Sequence, residues 1–180
     1  MKRGAAVGFA VFLLVLAVAL TACGRKPAGK MEVTKAIAVL NPTEGSKVKG
    51  YVSFEKVRGG VRVTATVEGL STGLHGFHVH EFGDCTSPDG NSAGGHINPM
   101  DAPHSAPTAD KRHVGDLGNI EAKGDGPAKY ETVDKMMALE GPHSIIGRSV
   151  VVHAQADDFK TQPTGGSGAR VACGVIGITK

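Results

Sequence analysis

The chain has 180 residues, 41% of them hydrophobic and only 4% aromatic, with a formal charge of +3. Without Lys2 and Arg3, which lie in a candidate leader, the charge falls to +1. Such a near-neutral chain offers no support for nucleic-acid binding, and its length suits one domain with one core.

Residues 1–22 read as a leader. Lys2 and Arg3 precede a run, Ala5 to Leu20, that is apolar or small throughout. Leu20-Thr21-Ala22-Cys23 resembles a lipoprotein processing box, with cleavage expected before Cys23. Cys23 would then accept diacylglycerol and an N-acyl chain. The apolar run is short for a membrane span, so lipid anchoring is expected rather than spanning. That places the mature chain in the cell envelope: the periplasmic face of the outer membrane in a Gram-negative cell, the outer face of the plasma membrane in a Gram-positive one. Residues 23–35 are polar and read as a lipidated tether.

Residues 36–180 read as one domain. Val61 to Glu68 alternates apolar and polar residues without a break, the pattern of a half-buried strand. Ala36–Leu40, Val48–Phe54, Gly73–His80, Leu117–Ala122, Ala128–Thr132, Ser149–His153 and Val171–Ile178 add seven more. Val133, Met136 and Met137 have helical spacing over too short a stretch to stand alone. Eight strands and 26 glycines predict an all-β, eight-stranded antiparallel Greek-key barrel or immunoglobulin-like sandwich, with two long functional loops.

The first of those loops, Phe82 to Gly115, contains Pro99, Pro103 and Pro107 and no convincing strand or helix. A loop of that length calls for a function or a restraint. Metal ligation supplies both. His75, His78, His80, His96, His104 and His113, six of the eight histidines, fall between Leu74 and Asp116. His78 and His80 alternate on a strand and share a face, about 7 Å apart along the backbone. His96, His104, His113 and Asp116 supply the donor types of a four-coordinate zinc site.

The motifs G-F-H-V-H-E-F-G-D, G-G-H-I-N-P, H-V-G-D-L-G-N, V-V-V-H-A-Q-A-D-D and G-S-G-A-R-V-A-C-G-V-I-G-I resemble, in this order, those of the copper/zinc superoxide dismutases. The resemblance implies copper on His78, His80, His96 and His153, and zinc on His96, His104, His113 and Asp116, one of each per subunit. Seven residues then fill eight positions, with the imidazole of His96 shared. It implies dismutation of superoxide to O₂ and H₂O₂ at a redox-cycling copper, with His96 taking and giving a proton. It further implies that Asp157 links the copper ligand His78 to the zinc ligand His104, and that Arg170 attracts and docks the anion. Asp158 reads as a turn residue. Cys85 and Cys173 are expected to pair in an oxidising compartment. Phe82, Gly83, Ile146, Gly147 and Ile178 resemble the family's dimer contact, which favours a homodimer. The position of Cys85 and the short loop from Asp157 to Arg170 depart from the eukaryotic pattern. His75 and His143 fit no metal position. The alternative function is a copper/zinc buffer or metallochaperone without turnover, which would not need Arg170.

Overall fold

The computed structural model describes residues 32–124 and 126–180. The expected leader, the lipidation site Cys23 and most of the tether lie outside the described residues. Eight strands follow: β1 (Lys35–Pro42), β2 (Lys49–Val57), β3 (Gly60–Glu68), β4 (Gly73–His80), β5 (Asp116–Ala122), β6 (Ala128–Asp134), β7 (Ser149–His153) and β8 (Arg170–Ile178). Neighbours are antiparallel and run in the order β5-β4-β7-β8-β1-β2-β3-β6. β1 thus pairs with the last strand and β3 with β6, the crossovers of a Greek key. β5 and β6, at the two ends of the order, come back into contact, so the sheet is a nearly closed barrel. Tyr130 of β6 closes that seam. Its hydroxyl donates to the Leu117 carbonyl at 2.8 Å, and its ring meets Phe77 edge-on, centroids 5.1 Å apart. Among the described residues there is no α-helix, only a 3₁₀ turn at Asn91–Ala93.

Period-two patterning explains the core. In β3, Val61, Val63, Ala65 and Val67 point inward and are buried, while Arg62, Thr64 and Thr66 stay partly exposed. In β4 the alternation is chemical instead. Phe77 and Val79 join the core, and His78 and His80, on the opposite face, are also fully buried. The long loops cover that outer face. Main-chain bonds fasten them there: Ile97 donates to Val79, Val79 to Gly115 and Gly115 to Ile97, all at 3.0–3.1 Å. These three contacts bring His96 and the His113–Asp116 turn up to β4.

One expectation is corrected. Residues 33–35, assigned to the tether, belong to the barrel. Val33 packs against the core, the Thr34 carbonyl accepts from the Lys56 amide at 2.8 Å, and Lys35 pairs with Glu55. Their polar side chains hid them, because the Thr34 carbonyl and the Lys35 pairing hold them through the main chain. As expected, the helical spacing at Val133, Met136 and Met137 forms no helix. Val133 lies in β6, and the carboxylate of Asp134 at its end accepts both the Met136 and Met137 amides, turning the chain and burying Met137.

Candidate metal centre

Two clusters of ligand atoms lie side by side between β4, β7 and the first long loop. His78, His80, His96 and His153 form one; His96, His104, His113 and Asp116 form the other. Within each, the donor atoms lie within 4.8 Å of one another, and every residue is buried. His96 belongs to both.

Hydrogen bonds select which nitrogen each ring offers. His80 gives its Nδ1 hydrogen to the Gly94 carbonyl at 2.9 Å, and His153 gives its own to Gly168 at 3.2 Å. That leaves two bare Nε2 lone pairs facing each other 3.4 Å apart. His78 is turned the other way: its Nε2 donates to Asp157 Oδ2 at 2.7 Å, and its buried Nδ1 has no partner. His96 directs Nδ1 toward Asp116 Oδ1 at 2.8 Å, and its buried Nε2 also lacks a partner. Four unengaged imidazole nitrogens converging in a buried space are a poor arrangement for neutral rings alone and a good one for copper. On the other side Asp116 Oδ1 lies 2.8–3.2 Å from Nδ1 of His96, His104 and His113, while Oδ2 is held by the Ser105 and His113 amides. Three imidazoles and one oriented carboxylate oxygen fit zinc.

Burial disfavours charge on the copper-side rings. It lowers His78 and His80, takes His96 down to about 4 against the pull of Asp116, and takes His153 to about 3 with help from the charge of His78. These rings are neutral ligands at ordinary pH. His104 behaves oppositely. Burial again opposes its charge, but hydrogen bonds to Asp116 and Asp157 outweigh it and raise the ring to about 9. Burial would lift both carboxylates, yet the surrounding histidines hold Asp116 and Asp157 well below the usual carboxylate range.

Residues 48–176 match the family described as copper/zinc superoxide dismutase (SODC). The chain belongs to the copper/zinc superoxide dismutase family. A crystal structure described as that of the clock protein EA4 has the same fold, with a TM-score of 0.77 and 42% sequence identity over 84% of this chain and 98% of that one. Both metal clusters of a copper/zinc superoxide dismutase are complete here.

Asp157 spans the two clusters, with Oδ2 on His78 Nε2 and Oδ1 on His104 Nε2 at 2.9 Å. Arg170, the first residue of β8, is half-buried. Its guanidinium donates to the Gly90 carbonyl at 2.8 Å and the Gly94 carbonyl at 2.6 Å. Gly94 therefore serves both Arg170 and the copper-side His80. Its φ of 75° and the space around it suit glycine alone, since a Cβ would lie 2.4 Å from Glu81 Oε1. Cys85 and Cys173 are bonded. Asp158 caps a local turn through the Lys160 and Thr161 amides. His75 bonds to the His153 carbonyl at 2.9 Å and to Ser71, and His143 to Met136; neither enters a cluster.

Sequence reasoning missed several supports. Arg112, beside His113, is buried and pairs with Asp134 at 2.5 Å while donating to the His113 carbonyl at 2.8 Å, which ties the zinc arm to β6. Asn119 holds both main-chain groups of Asp157. Asn119 ends the motif H-V-G-D-L-G-N, which was a usable signal. Arg112 carried none, because a cation in a polar loop reads as solvated.

Proposed function

We propose that the chain dismutes superoxide to O₂ and hydrogen peroxide at the His78, His80, His96 and His153 cluster. Bound there, copper would supply one-electron redox chemistry, while zinc in the adjoining cluster would add fixed charge without redox chemistry of its own. The protein's residues supply the rest. Arg170 keeps its charge at any relevant pH and is fixed by two carbonyls, so it presents a preset cation to an incoming anion. His96 Nε2, buried and without a partner, would gain a proton in one half of the cycle and release it in the other. One proton from Nε2 and one from solvent complete H₂O₂. His80, His153 and His78 are kept in the required tautomers by Gly94, Gly168 and Asp157.

The observation that carries this reading is the sharing of His96 by two complete clusters beside an anchored Arg170. A metal buffer has no use for that arginine. The test is superoxide consumption by the copper- and zinc-loaded protein and by Arg170→Ala. Loss of about tenfold to a hundredfold in kcat/KM at unchanged metal content is expected. Equal and negligible rates in both would leave a buffer.

The same reading extends to the cell envelope. The leader and Cys23 would deliver a lipid-anchored enzyme outside the cytoplasm, where it intercepts superoxide. The Cys85–Cys173 bond supports an oxidising compartment. Mass spectrometry of envelope-extracted protein should find an acylated Cys23 as its first residue, and an intact Met1 start would refute the anchor.

A further inference from the structure

The loop from Asp157 to Arg170 returns to the zinc-side cluster through one side chain that the reaction above does not use. Gln162 lies on the outside of the protein, yet its carboxamide is engaged at both ends by the main chain of His104. The His104 amide donates to Oε1 at 2.8 Å, and Nε2 donates to the His104 carbonyl at 2.9 Å. The two residues are 58 positions apart, so this is a tertiary contact and not turn chemistry. A carboxamide matches a peptide unit donor for acceptor. Two parallel bonds fix direction as well as position.

The need for such a grip is visible at His104. It lies outside all eight strands, so no ladder fixes its main chain. Its ring must satisfy two demands at once, Nδ1 toward Asp116 and Nε2 toward Asp157. Asp157 is held in the same manner at the other end of that bond. Asn119 Nδ2 donates to its carbonyl at 2.9 Å, and its amide donates to Asn119 Oδ1 at 2.7 Å. Each end of the His104–Asp157 bond is thus gripped by one carboxamide. Asn119 stands on β5 and belongs to the barrel. Gln162 stands on the loop that leads to Arg170.

We propose that Gln162 is the positioning residue of His104, and that through it the Arg170 loop and the zinc-side cluster order one another. The proposal rests on His96, His104, His113 and Asp116 being the zinc site. Reciprocity is required by linkage: freeing the loop weakens zinc binding, and zinc stiffens the loop by the same coupling.

The test uses the full chain loaded with copper and zinc, and follows zinc release to a chromogenic chelator. Gln162→Ala should weaken zinc retention about tenfold to a hundredfold, the usual effect of removing a partner that orients a metal ligand. Gln162→Glu keeps an acceptor for the His104 amide but loses the donor, and should fall between. With cobalt(II) in place of zinc, the visible absorption of Gln162→Ala should shift, and hydrogen exchange over 157–170 should quicken in the metal-loaded form. The melting temperature of the metal-free protein should not change. Parent-like release with an unshifted cobalt spectrum would overturn the proposal. So would zinc loss matched by equal destabilisation of the metal-free protein. His113→Ala separates the two readings: if it retains zinc as the parent does, the zinc assignment itself fails.

Discussion

At the scale of single residues, protons and metal compete for the same nitrogens. His104 is raised to about 9 from an ordinary value of 6.5, so the metal-free protein carries its proton at neutral pH. A raised pKa stabilises the folded form fully below 6.5, and that contribution is lost as pH climbs through about 9. Zinc requires the neutral ring. Zinc uptake by the copper-free protein near pH 7.5 should therefore release a proton from His104, and this release should fade above pH 9. Calorimetry in buffers of different ionisation enthalpy measures it; a proton count independent of pH from 7 to 10 would contradict the geometry. The copper-side rings are lowered and release no such proton. The ligand set itself was legible from motifs. The choice of nitrogen on each ring was not, because it depends on carbonyls at Gly94 and Gly168 and a carboxylate at Asp157, positions remote in the chain.

At the scale of elements, strands carry the rigid part of the site and loops complete it. β4 supplies His78 and His80, β5 supplies Asp116 and β7 supplies His153, while His96, His104 and His113 come from irregular chain. The Cys85–Cys173 bond fastens the start of the long loop to β8 across 88 positions, with Ala93 and Val151 packed beside it. Closing so large a loop stabilises by about 4 kcal/mol on the loop-entropy view. The double variant Cys85→Ser, Cys173→Ser should melt at a clearly lower temperature, and its fastest gain in hydrogen exchange should fall in residues 81–95. Uniform quickening across all strands would show that the bond does not hold that loop in particular. The strands were readable from alternation, as in Val61–Val67. The loop was readable only as irregular, since its stitching to Val79 joins residues that carry no common pattern.

At the scale of the whole molecule, the homodimer expectation rests on exposed apolar side chains. Phe82 and Ile178 are each 52% exposed and Val175 is 45% exposed, apolar side chains that a monomer would leave to water. Next to Val175, Gly83 and Gly147 make close backbone contact; a Cβ on Gly83 would lie 2.1 Å from the Gly147 carbonyl oxygen. The homodimer that we infer should sediment as such at micromolar concentration, and Phe82→Glu should sediment as a monomer with both metals retained. A monomeric parent would remove the inference. The amino-acid sequence by itself determined the barrel, through strand alternation between neighbouring residues, and the donor set, through five short motifs that resemble those of the family. Tertiary structure alone decided the tautomers, the Tyr130 seam, the Arg112–Asp134 pair and the grips on Asp157 and His104. Each of these is a directional hydrogen bond between distant positions, and such a bond exists only once the folded backbone has set both the distance and the angle.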